Sequence, residues 1–366
     1  MSQGGDDPKM GVCQEVNINF TWMKNMNDVN RRIVLDERPR YIIPTANCFR
    51  VVTEPKPRAG KGEMLLRNLW LSMDPYLLSK VKRFSQQGEP LALGETMNGL
   101  AVAQVLSSDN PDFAAGDMVM GLLPWADYVA TDGRRAVKLK VQLPRLASVP
   151  GALGYAGFTA YLAVMVTGKA QQGETVVIGS ANSGLAQIAA QLAKRQGARV
   201  VGISLGEHQC SVPPAQLGFD AYIDSRSETF AEQLRASCPR GVDLYIELVG
   251  GDVLDKVLPL LNLRARVVVA GLKALYTAPG LPEGPDRTML FLNEVMVKRL
   301  QVLGLVNFDH VKEHYSEFKK AMVAWINAGE IQVVENVVDG LENAPRALQT
   351  MFESNAYGHV VVRADA

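Results

Sequence analysis

The run Thr175-Val176-Val177-Ile178-Gly179-Ser180-Ala181-Asn182-Ser183-Gly184-Leu185-Ala186 carries the strongest chemical signal in the chain. An apolar strand passes through small residues into a helical periodicity. A nucleotide pyrophosphate needs this arrangement: small residues let the backbone approach the phosphates, and a helix N-terminus offers N–H groups and a favourable dipole. The spacing departs from G-x-G-x-x-G, with Gly184 in phase and Ala186 in place of the last glycine. Alone, the same residues also describe a tight strand-to-helix turn. The following strand ends at Ile203-Ser204, where a site for unphosphorylated NAD would place Asp or Glu. Neutral Ser204 permits a 2′-phosphate, but Gly206-Glu207-His208-Gln209 bring no Lys or Arg to attract it.

Tyr276 follows Ala270-Gly271-Leu272 at the C-terminal end of an expected strand. Cofactor and substrate meet at that edge of an open α/β sheet, so its hydroxyl could serve a developing enolate or its ring could form a wall. Tyr76 reads as a packing or pocket-wall residue. His310 and His314 have the i,i+4 spacing of a zinc site, but no HExxH motif and no third ligand accompany them, and a solvated helix face is the better reading. No G-x-S-x-G elbow supports serine hydrolysis. Cys13, Cys48, Cys210 and Cys238 lie far apart without a CxxC pair, which fits buried thiols in a reducing setting.

These residues need a scaffold of ordinary soluble composition. A chain of 366 residues suggests two domains, and 47% apolar with 21% charged residues excludes a disordered chain. Lys+Arg and Asp+Glu balance at 38 each, so no global field draws the protein to nucleic acid or to an anionic membrane. The polar residues 1–30 read as a mobile leader rather than a secretory signal, which points to the cytoplasm. The uncharged stretch between Arg145 and Lys169 contains Pro150, Gly151, Gly154 and Gly157, and reads as buried loop and helix rather than a membrane span. From residue 31 to about 146, short β segments such as 63–70, 100–106 and 117–123 alternate with turns. Beyond Pro150, strands near 175–179, 199–203, 221–223, 243–248 and 266–270 alternate with helices, which implies a parallel sheet covered on both faces. A helix is expected over 313–328, and the tail 331–362 returns to β character with a helix near 344–353 that could pack back onto the first domain. The expected organisation is α/β: a leader over 1–30, a β-rich substrate domain over 31–155 and 330–366, and a Rossmann dinucleotide-binding domain over 156–329.

The chain resembles the zinc-independent medium-chain dehydrogenase/reductases, in the branch of prostaglandin reductases and plant alkenal double-bond reductases. Its landmarks are Asn30-Arg31-Arg32-Ile33-Val34-Leu35, the segment 71–76 ending in Asp74-Pro75-Tyr76, and Asn110-Pro111-Asp112-Phe113 followed by Gly116-Asp117. Gly157-Phe158-Thr159-Ala160-Tyr161, Leu217-Gly218-Phe219-Asp220, Val249-Gly250-Gly251 and the run Val338 to Pro345 complete the set. The resemblance implies a GroES-like β domain beside the Rossmann doubly wound parallel sheet, a homodimer, no zinc, and NADPH delivering hydride to the β carbon of an α,β-unsaturated carbonyl compound.

Carried over by residue, the resemblance places the pyrophosphate at Ser183, Gly184, Leu185 and Ala186. It places the nicotinamide side along Gly271 and Leu272 to the active-site Tyr276, with Val306 and Asn307 near the carboxamide and Asn355 at the cofactor. Tyr76, Trp125 and Tyr128 are expected in the substrate pocket. Three polar contacts are replaced: the 2′-phosphate lysine by Gln209, a tyrosine by Ser225 with Arg226 beside it, and an asparagine by Leu248. Two functions therefore stay open, an NADPH-dependent double-bond reductase, and a redox-neutral isomerase or cyclase that has weakened or lost NADPH binding.

Overall fold

The computed structural model describes residues 28–40, 43–82, 89–140, 143–206, 212–277, 286–352 and 357–366, except the side chains of Tyr276 and Thr277. Gln209 and Asn355, and residues 1–27 of the expected leader, lie outside the described residues; a strand begins within the leader's last residues, at Val29.

In the first half, β1 (Val29–Leu35) and β2 (Phe49–Pro55) pair antiparallel. Next come β3 (Met64–Ser72), β4 (Asn98–Ser108), β5 (Met118–Pro124), β6 (Tyr128–Thr131) and β7 (Ala136–Lys138). In the second half, β8 (Thr175–Ile178), β9 (Arg199–Ser204), β10 (Ala221–Asp224), β11 (Val242–Glu247), β12 (Leu261–Val269) and β13 (Gln301–Gly304) form a parallel sheet in the order β10-β9-β8-β11-β12-β13. The tail supplies β14 (Glu335–Asp339) and β15 (His359–Arg363), and these join the first sheet in the order β14-β15-β3-β4-β5-β7, with β6 on β3.

The strand order reverses beside β8, which puts a crevice between the loops that follow β8 and β11. All four residues of β8 are buried, as a central strand covered by helices on both faces requires. The helix Gly184–Arg195 starts at Ser183, whose Oγ accepts from the Ala186 amide at 3.3 Å, and carries Lys194 and Arg195 in its last turn, where the dipole favours cations. Its buried Ile188, Ala189, Leu192 and Ala193 join the core between that helix, the sheet, and Phe318 and Met322 of the helix Val311–Asn327. The apolar stretch Ser148–Thr167 is helical and mostly buried in this core. A second core, centred on Leu66, Leu71 and Trp125, fills the β-rich part and takes Leu341, Leu348, Val360 and Val362 from the tail.

The tail therefore does pack back onto the first sheet. The reason is geometric: β15 enters beside β3 with Val361 opposite Ser72, and it buries Val360, Val361 and Val362.

Candidate functional site

The turn after β8 is built from both ends of the chain. Gly358 donates its N–H to the Asn182 carbonyl at 2.7 Å, and Gly184 donates to the Gly358 carbonyl at 2.9 Å. Two first-turn N–H groups, those of Gly184 and Ala186, are thus already bonded, and Gln187 donates to the Ser183 carbonyl at 3.0 Å. Leu185 N–H has no acceptor among the described residues, and it stands at a helix N-terminus where an anion is favoured.

Ser180, Asn182 and Ser183 line a cavity with Leu205, Lys273, Met351, Gly358 and Val360. One wall is the phosphate-type turn, one is the end of β9, one is the segment after β12, and one is the tail. Burial pushes the Lys273 ammonium below its ordinary pKa. Lys273 opens the short helix Lys273–Thr277, and its N–H donates to the Leu248 carbonyl at 3.0 Å. Gly271 and Ala270 both donate to the Glu247 carbonyl, so the segment leading to Tyr276 is tied to the end of β11. Glu247 itself is buried and holds the next turn from below, accepting from the amides of Val249 at 2.6 Å and Gly250 at 2.8 Å. Burial raises its carboxyl pKa against those two bonds.

At the end of β9 the expected side chain is unavailable. Ser204 is fully buried, and its hydroxyl donates to the Ile223 carbonyl at 3.2 Å, so it cannot address a ribose. Ser225 is linked to it through the backbone, donating to the Ser204 carbonyl at 3.0 Å. Arg226 is the group that reaches this edge. A methyl placed on Gly206 would fall 2.6 Å from Arg226 Nη2, so the guanidinium lies across the chain just beyond β9. Its contacts with Asp224 are long, at 3.4 Å.

Leu248 is buried beside Gly271 and offers no polar atom from its side chain, while Leu272 stays partly exposed next to Lys273. Val306 is exposed, and the Asn307 amide donates to Thr159 Oγ1 at 3.0 Å, which fixes the strand-to-helix link that follows β13.

Tyr76 and Trp125 come close together: a Cβ on Gly99 would lie 3.2 Å from Trp125 Nε1 and 3.6 Å from the Tyr76 hydroxyl. Tyr76 packs edge-on against Tyr155 with ring centroids 5.0 Å apart, and Tyr155 packs against Phe308 at 5.1 Å. This row joins the β-rich part to the segment of Val306 and Asn307. Trp125 is fully buried in the second core against Phe49. Tyr128 sits opposite Arg67, near the middle of β3, with the Lys56 ammonium 3.9 Å over its ring.

A buried polar relay lies under the site and was invisible in the sequence. His359 Nε2 and Ser72 Oγ are 2.8 Å apart, and burial holds the imidazole neutral, down to about 4. Burial pushes the neighbouring Asp74 carboxyl up to about 7 against a hydrogen bond from Ser72, and its Oδ2 has no hydrogen-bond partner among the described residues. Burial and then the Asp74 charge also raise the Tyr76 hydroxyl. Lys273 carried a usable signal, being a cation directly behind a strand end; the relay carried none.

His310 and His314 lie with rings 5.9 Å apart, and His314 faces Glu313. No group of three His, Cys, Asp or Glu that could hold a metal ion occurs among the described residues. Cys48 and Cys238 are buried free thiols, the latter pushed up to about 11 by burial.

Residues 31–139 match the family described as the N-terminal domain of oxidoreductase, and residues 184–328 match the family described as zinc-binding dehydrogenase. The NADPH-dependent curcumin reductase of Escherichia coli is 37% identical, over 91% of this chain and 96% of that protein. The NADP(+)-dependent 2-alkenal reductase of Nicotiana tabacum is 31% identical, over 85% and 90% respectively. The crystal structure of CurA from Vibrio vulnificus in complex with NADPH superposes with a TM-score of 0.86 at 38% identity, covering 92% of this chain and 99% of that one. With the reversed strand order, the phosphate-type turn and the returning tail all in place, the chain belongs to the zinc-independent medium-chain dehydrogenase/reductase family of oxidoreductases, in the branch that holds the alkenal and prostaglandin reductases.

Proposed function

We propose that this protein uses NADPH to reduce the C=C bond of an α,β-unsaturated carbonyl compound without a metal. The observation that carries the choice of NADPH is the Arg226 guanidinium lying across Gly206 at the end of β9. A guanidinium offers charge and a fork of donors suited to a phosphate, which Gln209 in the resemblance's lysine position does not. The residues present fit a dinucleotide: Leu185 N–H at the helix start has no acceptor among the described residues, the cavity wall brings Ser180, Asn182, Ser183 and Lys273, and Arg226 stands at the adenosine end.

NADPH would supply the hydride, and the protein's part is orientation and charge. Ser183 and Leu185 would hold the phosphates, and the backbone tie between Gly271 and Glu247 would fix the segment that carries Tyr276. Tyr276 would donate a hydrogen bond to the substrate carbonyl oxygen as the enolate forms. The row Tyr76, Tyr155 and Phe308 would give an apolar wall for the substrate. Phe308 is 54% exposed, consistent with a wall open on one side.

The partners we infer are a small-molecule enone or enal and a second copy of this chain. Strand β13 is the outer strand of the parallel sheet and largely exposed, and the helix Thr288–Lys298 beside it exposes Met289, Leu290 and Met296 at 74%, 66% and 68%. An apolar patch of this kind on an open sheet edge fits a self-association surface.

A direct titration with NADPH and NADH, followed by an enone-dependent NADPH oxidation assay, tests the reading. Tighter NADPH binding with enone-dependent oxidation, slowed by Tyr276→Phe, is expected. Absence of binding by either nucleotide in folded protein would overturn it and favour a redox-neutral reaction.

A further inference from the structure

Glu247 closes β11 at 1% exposure, and both its main chain and its side chain hold neighbouring segments. Its carbonyl accepts from the amides of Ala270 at 3.0 Å and Gly271 at 3.1 Å, which fixes the chain as it leaves β12. Its carboxylate oxygen Oε1 accepts from the amides of Val249 at 2.6 Å and Gly250 at 2.8 Å, and from the Tyr245 hydroxyl at 3.1 Å. Glycine enters left-handed backbone freely and loses much entropy on being fixed there. Gly250 and Gly251 take φ of +81° and +55°, so the bonds to the carboxylate set a bend that these residues would not hold by themselves.

The next element rests on that bend. The Leu248 carbonyl accepts from the Lys273 amide at 3.0 Å, and the Val249 carbonyl from the Ala274 amide at 2.8 Å. Lys273 and Ala274 begin the short helix Lys273–Thr277, on which Tyr276 lies. The Glu247 side chain therefore supports the helix start through Leu248 and Val249, while its main chain holds Ala270 and Gly271, which lead into it. Leu248, Val249 and Gly250 are buried, so an amide that lost the carboxylate would have no water to replace it. All of this borders the crevice: a Cβ on Gly179, where the turn after β8 begins, would lie 3.5 Å from the Tyr245 hydroxyl and 3.4 Å from the Leu248 amide nitrogen.

We propose that Glu247 is a positioning residue for the reduction: through the turn 248–250 it sets the helix that presents Tyr276, and with it the reach from the Tyr276 hydroxyl to the substrate carbonyl oxygen. This rests on the reductase reading above. A misplacement of about 1 Å in such an arrangement costs up to about hundredfold in rate. Charge develops on that oxygen as the enolate forms, so the loss falls on kcat.

The test uses the full-length protein in two assays. One is NADPH oxidation with benzylideneacetone or methyl vinyl ketone. The other is calorimetry with 2′-phospho-ADP-ribose, which has the phosphates of NADPH but no nicotinamide. Glu247→Ala should lower kcat about tenfold or more and leave KM for the enone and the affinity for 2′-phospho-ADP-ribose unchanged. Glu247→Gln keeps an acceptor oxygen at the same reach and should restore most of the lost rate. In a Tyr276→Phe background, Glu247→Ala should cost little further, because two changes acting through one hydroxyl do not add. Where Glu247→Ala does not fold, Glu247→Asp withdraws the carboxylate by one methylene and carries the same expectations. Three results would overturn the assignment: an unchanged kcat, a loss that multiplies with that of Tyr276→Phe, or weaker binding of 2′-phospho-ADP-ribose in step with the rate. A wild-type protein that oxidises NADPH with neither enone would instead overturn the reductase reading, and this role with it.

Discussion

On the proposed NADPH reading, Arg226 should separate the two nicotinamide cofactors, and Arg226→Ala is the perturbation that tests it. The guanidinium lies close enough to Gly206 that an added methyl would sit 2.6 Å from Nη2, so it borders the end of β9 where the adenosine ribose of a Rossmann site belongs. Its side chain is 52% exposed, and its bonds to Asp224 are long at 3.4 Å, so moving it onto a phosphate breaks little. A charge-assisted bond of this kind contributes about 1.5–3 kcal/mol. Half exposure and the neighbouring Asp224 carboxylate pull the value to the lower end, about tenfold in affinity. NADPH should therefore weaken about tenfold in Arg226→Ala. NADH should keep its affinity, because it has nothing at that position. Arg226→Lys should fall between, since it keeps the charge and loses the fork. Nicotinamide fluorescence titrations at fixed salt give both constants, and their ratio is the readout. Equal weakening of NADH and NADPH would refute the assignment, because the residue would then act on the shared part of the cofactor or on the fold.

Two further predictions concern stability and assembly. The folded protein raises the Asp74 carboxyl from 3.8 to about 7, so it binds the extra proton between these values; that stabilisation is complete below the unfolded pKa and is lost as pH rises through the folded one. Asp74→Asn should accordingly gain on wild type by up to about 4 kcal/mol between pH 4 and pH 7, at about 1.4 kcal/mol per unit. His359 works the other way, since its folded pKa of about 4 makes stability fall as pH drops below 6.5, which is why the difference in melting temperature between variant and wild type is the quantity to plot. A pH-independent difference would contradict the burial argument. On the exposed helix Thr288–Lys298, Met296→Glu should convert a dimer to a monomer in sedimentation, with enough charge at a side chain 68% exposed to disrupt an apolar contact and too little contact with the core to unfold the chain; a wild-type monomer at micromolar concentration would refute the self-association surface.

The sequence exposed what is local. The helix Val311–Asn327 and most of the parallel strands follow from periodicity within short windows, with ends a residue or two from the expected ones, but β12 begins at Leu261, well before the expected 266. Side-chain direction is not local. Ser204 lies at the expected place and donates to the Ile223 carbonyl of the neighbouring strand, and Trp125 turns into the second core. The Ser72 and His359 pair joins residues 287 positions apart, so no motif could contain it. The phosphate-type turn shows how one residue type can have two causes. Small residues there were read as room for phosphates, yet a Cβ on Gly184 would lie 2.8 Å from both the Cβ and the backbone N of His359. The tail strand alone requires glycine at that position, whether or not a nucleotide binds. The chemical weight of the site therefore rests less on Gly184 than on the Leu185 N–H, which has no acceptor among the described residues, and on Arg226 beyond β9.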